Sequence, residues 1–108
     1  MDQALHQTIG EVKSALESRG LRINRIFLFG PRAEKTPIEN SDINLLIISN
    51  DFGRMNLRER MEFIGSTLAR LKTAEPINVL AYTELEFKAQ PRGSFIGNEV
   101  KSKGIEVK

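Results

Sequence analysis

Cysteine is absent from the 108 residues. That excludes disulfide frameworks, thiolate zinc sites and thiol nucleophiles. Histidine occurs once, at position 6, which leaves no material for a histidine metal cluster or a serine–histidine relay; His6 reads as an ordinary helix-surface residue. No apolar run approaches the roughly eighteen residues that a membrane span needs. The first twenty residues carry Asp2, Glu11 and Glu17 where a secretory signal would be basic and then apolar, so a cytoplasmic protein is expected. A large charge excess is missing too: 16 basic residues face 14 acidic ones, a formal net charge of +2, with both signs spread along the chain. Arg54, Arg58, Arg60, Arg70 and Lys72 concentrate in the middle third, but Glu59 and Glu62 interleave with them. That pattern favours a solvated surface over a nucleic-acid-binding stripe. Repeats, low-complexity segments and long linkers are lacking, and an apolar content of 40% fits one domain spanning 1–108.

What is present is helical and strand periodicity. Leu5, Ile9, Val12 and Leu16 recur at helical spacing ahead of Gly20, which predicts an amphipathic helix over 3–19 ended by a left-handed glycine. INRIFLF (23–29), INLLIIS (43–49) and INVLAY (77–82) are short, apolar and rich in Ile, the character of strands buried on both faces. Between the last two, Leu57, Met61, Ile64, Leu68 and Leu71 form an apolar stripe of period 3.6. Asn56 with Glu59 opens it as a capping box, and Pro76 marks its far limit. Thr83 with Glu86 makes a second box ahead of a short helix that Pro91 closes. A last helix is expected from about Ser94 to Lys103, stopped by Gly104, then a final strand at 105–107; SNDFGRMN (49–56) is the longest gap. The order fits an α/β (α+β) fold, a small mixed sheet with helices packed on it.

One stretch points to chemistry: FLFGPRAEKTPIENSDINLLI, residues 27–47. Gly30 ends a strand, and Pro31 stands where a first helical turn begins, its fixed φ suited to that place; Arg32 and Ala33 continue the turn until Thr36 and Pro37 break it. A glycine followed by a helix start can receive an anion, because backbone N–H groups and the helix dipole converge there. Asp42 and Asn44, two apart on a predicted strand, project from one face and can share a ligand. Two carboxylates so placed would hold Mg²⁺ against a nucleotide's phosphates. A third on the neighbouring strand would complete a two-metal site and orient the attacking hydroxyl. Here the neighbouring strand offers Asn78.

The strand-Gly-x-Arg-Ala turn, followed ten residues after Arg32 by SDINLLI, resembles the minimal nucleotidyltransferase family of the DNA polymerase β superfamily. That family's pattern is a Gly-Ser turn and then Asp-x-Asp. PINVLAYTELEF is similar to the family's third-acid strand, and EVKSKGIEV to its C-terminal helix and strand. The resemblance implies a nucleotidyltransferase-like fold in which glycine and serine hold a nucleoside triphosphate, paired aspartates bind two Mg²⁺, and a third aspartate aids in-line transfer. Carried across, Gly30 matches the glycine, Pro31 sits at the serine, Asp42 matches the first aspartate, Asn44 the second and Asn78 the third. Nucleotide binding is thereby expected at Gly30, Pro31 and Arg32, metal binding at Asp42 and Asn44, and a degenerate catalytic set at Asp42, Asn44 and Asn78.

The departures have physical costs. Proline supplies neither hydroxyl nor N–H, and losing one donor aimed at developing charge costs about 2–4 kcal/mol in such sites. The amides bring no charge, so three carboxylates become one, too few to gather two divalent ions. Asn78 cannot accept a proton near neutral pH, and general-base assistance is worth about 10²- to 10⁴-fold. Of the nearby acids Asp51, Glu75, Glu34 and Glu39, the sequence leaves Glu39 or Glu75 able to substitute, Asp51 lying beyond the strand's end. The expectation is a catalytically weak or inactive relative that binds ATP or another nucleotide with at most one Mg²⁺. The resemblance implies a small all-helical HEPN-like protein partner and an antitoxin-like role, as a homo- or hetero-oligomer. Two other readings stand beside it: an active Mg²⁺-dependent transferase moving a nucleotide onto a protein partner, and a basic nucleic-acid-binding module.

Overall fold

The computed structural model describes residues 3–34 and 42–107. α1 (Gln3–Ser18) buries Leu5, Ile9, Val12 and Leu16, the stripe marked by the sequence. Gly20 ends it at φ 93°: its N–H donates to the Glu17 carbonyl, and the Leu21 N–H reaches back to that of Leu16. These two bonds satisfy carbonyls that a helix end leaves open, and buried Leu21 seals the turn.

β1 (Arg25–Phe29), β2 (Ile43–Ile48), β3 (Ile77–Tyr82) and β4 (Ile105–Val107) form one mixed sheet in the order β3-β2-β1-β4. β1 runs antiparallel to β2 and β4, while β2 and β3 are parallel across the connection carrying α2 (Leu57–Leu68). Alternate residues of the strands feed two cores. Ile26, Leu28, Leu45, Ile47, Val79 and Ala81 pack with α1 and α2 on one face. Phe27, Phe29, Leu46 and Ile48 pack with Phe87 of α3 (Glu84–Lys88) and with Ile96 and Val100 on the other. The chain is thus a small mixed sheet covered by helices on both faces. No described helix is long and apolar enough to cross a membrane.

Four sequence expectations need adjustment. β1 begins at Arg25, not at position 23: the Asn24 N–H still donates to Ile48 O at the end of β2, but its side chain turns to accept the Asn50 N–H beyond the sheet. β3 is an edge strand and alternates in burial, where β1 and β2 are buried on both faces. The gap at 49–56 holds a 3-10 turn, Asn50–Arg54, capped by the Ser49 side chain and anchored by fully buried Phe52. The α2 stripe is rotated: the buried positions are Arg60, Ile64 and Thr67, with Phe63 and Leu68 half-buried, while Leu57 and Met61 are 71% and 49% exposed. Helical spacing from residue 60 joins these into one face, and it admits an arginine.

The C-terminal helix is present but wound as a π-type segment, Gly97–Ser102. Gly97 is there because nothing larger fits: a β-carbon would lie 2.2 Å from the Pro91 carbonyl oxygen.

Both capping boxes form. The second is tied to α2. Arg60 Nη1 and Nη2 bond Glu86 Oε1 and Oε2 at 2.7 and 3.0 Å, while Glu86 Oε1 also accepts the Thr83 N–H. Nε of Arg60 donates to the Phe52 and Met55 carbonyls, and Nη1 to that of Ala81. The hydrogen bonds from Arg60 hold the Glu86 carboxyl down to about 2, against an ordinary 4.5. Because the folded-state value is depressed, the unfolded chain takes up the proton first. The contribution is therefore full above about pH 4.5 and drains away as pH falls to about 2. With the Glu86 side chain 43% exposed, solvent screening reduces it to about 1 kcal/mol. Glu86→Gln is expected to flatten this part of the acid limb when urea midpoints are followed as pH is lowered.

Candidate functional site

The residues singled out by sequence meet at one end of the sheet. In the strand register Phe29 lies opposite Asn44, and Asn44 opposite Asn78, so the three form a row on the face of the second core. Asp42 precedes β2 by one residue, just outside the strand on which the sequence reading placed it. It nevertheless reaches the row: Asn78 Nδ2 lies 3.1 Å from Asp42 Oδ2 and 3.1 Å from Asn44 Oδ1. One amide spends both of its N–H hydrogens on the other two side chains. Asp42 and Asn78 are exposed, and Asn44 is half-buried.

The glycine turn adjoins this trio. Gly30 adopts φ 77°, ψ −158°, a region essentially reserved for glycine. A β-carbon there would lie 2.6 Å from Asn44 Nδ2, so turn and amide are in close contact. Gly30→Ala is expected to cost about 2–3 kcal/mol, combining left-handed strain with displacement of Asn44 from Asn78. Thermal unfolding measures it; an unchanged midpoint would show that the turn relaxes freely.

Pro31–Ala33 is a single 3-10 turn. Pro31 has no N–H, that of Ala33 donates to Gly30 O, and that of Glu34 to Pro31 O. The turn thus uses donors internally that an anion would need. Arg32, expected to face phosphate, is largely buried and paired with Glu75 at 3.2 Å. Thr36, Pro37 and Glu39 lie outside the described residues.

The candidate substitute acids are accounted for differently. Glu75 is the partner of Arg32. Asp51 sits beyond the opposite end of β2, where its carboxylate accepts the Arg22 N–H at 2.8 Å. Glu34 is exposed at the end of the glycine turn. Among the described residues, no three His, Asp or Glu side chains gather as a metal site. Of the middle-third cations, Arg58 pairs with Glu62 and Arg60 with Glu86, so two of the five are neutralised locally. His6 is on the exposed face of α1.

Sequence reasoning missed Glu75 as the counter-ion of Arg32. The two are 43 residues apart, and no local pattern pairs them. It also missed the buried role of Arg60.

No protein-family model matches this chain, and no curated protein sequence does. Among solved structures, the chain is similar to a crystal structure of a Sulfolobus solfataricus protein named "putative nucleotidyltransferase". The TM-score is 0.66 at 16% identity, with 94% of this chain and 77% of that chain covered. The two share a nucleotidyltransferase-like fold.

Proposed function

We propose that this fold serves here as a depleted member of the minimal nucleotidyltransferase type, one that binds a nucleotide and a protein partner and transfers little or nothing. The observation that carries the reading is the bridge made by the Asn78 amide to Asp42 and Asn44. In a metal-dependent site these oxygens would face cations. Here they accept N–H hydrogens, and the trio holds one negative charge. Such a donor set does not fit a pair of Mg²⁺ ions, which need several anionic oxygens. A single ion arriving with the phosphates of a nucleotide would have to displace the Asn78 donors from Asp42.

The rest of the site argues in the same direction. The Ala33 and Glu34 N–H groups bond within the Gly30 turn, and the Arg32 charge is offset by Glu75. Developing charge on a transferred phosphoryl group would find few preorganised donors, and those donors are normally the largest source of acceleration. Asn78 supplies no base for an attacking hydroxyl. The antitoxin-like role rests on the family resemblance; the apolar side chains that helices leave in water, Leu57 and Met61 on α2 and Leu85 on α3, the last 79% exposed, are the contacts it would offer a partner.

Radiolabelled ATP with Mg²⁺, incubated with this protein and a co-expressed helical partner, tests the proposal. No label should reach either chain while ATP binding remains measurable. Label transferred, and abolished by Asp42→Ala, would establish an active transferase instead.

A further inference from the structure

Phe95 is 60% exposed, and the backbone that carries it is closely fixed. The next residue, Ile96, is buried, and Gly97 is wedged against the Pro91 and Arg92 carbonyls. The Ser94 hydroxyl donates to Pro91 O at 2.7 Å and accepts the Gly97 N–H at 3.0 Å. The ring meets Phe29 edge to face, with centroids 5.9 Å apart and planes at 83°. A perpendicular contact leaves at least one π-face of Phe95 uncovered.

Its position gives that face a use. Phe29 is the third member of the row that begins with Asn78 and Asn44, and it immediately precedes Gly30. Phe95 therefore meets this row at its Phe29 end, on the same face of the sheet. A nucleotide whose phosphates reach Gly30 and, through one accompanying Mg²⁺, Asp42 could extend its base toward this ring. We propose that Phe95 is the stacking platform for the base of a bound nucleotide, an inference that rests on the nucleotide-binding reading above. Base–aromatic stacking tolerates any base, because each has a π-face. With the phosphate end short of donors, the ring carries a large share of the affinity.

Titrations of ATP and of inorganic tripolyphosphate into the wild-type chain and Phe95→Ala separate the contributions. ATP affinity should fall about 5- to 150-fold in the variant, and tripolyphosphate affinity should not change. The chain contains no tryptophan, so Phe95→Trp installs a single indole. That variant should keep ATP affinity and be quenched by ATP but not by tripolyphosphate. ATP bound equally by wild type and Phe95→Ala would overturn the role of Phe95 and leave the nucleotide reading standing. Equal losses for both ligands would reduce Phe95 to a structural part. Failure of wild type to bind either ligand would remove the nucleotide reading and this inference together.

Discussion

Arg60→Ala is expected to lower stability by about 3 kcal/mol, a fall in melting midpoint of about 10–20 °C for a domain of this size. Arg60 is only 9% exposed, and its guanidinium joins four parts of the chain: the Phe52 turn, the start of α2, the end of β3 and the first turn of α3. Deleting it leaves three carbonyls short of a donor and a carboxylate short of its counter-ion. Unmade bonds to buried groups are costly, since water must enter or the groups stay unpaired. Glu86 can rehydrate, which keeps the cost at the low end for a broken buried pair. Arg60→Lys should recover part of the loss, because an ammonium reaches fewer of these acceptors and cannot grip both carboxylate oxygens in parallel. Urea denaturation of the alanine variant beside Glu86→Gln gives the comparison. If the two lose the same stability, the carbonyl contacts contribute nothing.

Asn44→Asp combined with Asn78→Asp should convert the trio into a divalent-cation site. Without metal, three carboxylates would converge where one amide now satisfies two neighbours, costing about 1–3 kcal/mol. Mn²⁺ should offset most or all of that cost: saturation at a hundredfold excess over Kd stabilises by about 2.7 kcal/mol. The double variant should therefore melt lower than wild type in chelator and gain about 10 °C or more on adding Mn²⁺. Wild type should move far less under the same titration. An equal shift in wild type would mean that one carboxylate and two amides suffice, and the depleted reading would fail. Transfer activity should stay low in the double variant until Pro31→Ser restores a donor at the turn.

The local patterns were legible in the sequence because they depend on neighbours a few residues apart. The Gly20 stop, both capping boxes, Pro31 at the head of its turn and the strand cores follow from spacing alone. The meeting of residues 42, 44 and 78 was an expectation carried by the family resemblance, and the parallel register that sets Asn44 opposite Asn78 is a property of the fold that spacing does not give. What was not legible depended on distant partners. The face of α2 was misassigned because Arg60 looked like a surface cation, and only its distance to Ala81 and Glu86 makes it interior. The pairing of Arg32 with Glu75, and the contact of Phe95 with Phe29, likewise join segments that no periodicity connects.

The bond from Arg60 to Ala81 has one further consequence. Carbonyls at 76 and 82 accept N–H groups from residues 43 and 49, so that of Ala81, an odd position, points away from β2. A guanidinium seated there stoppers the open margin of β3, while the opposite margin belongs to β4, three residues long. Sheet growth by recruitment of stray strands, the first step toward amyloid-like stacking, is thereby discouraged on both flanks.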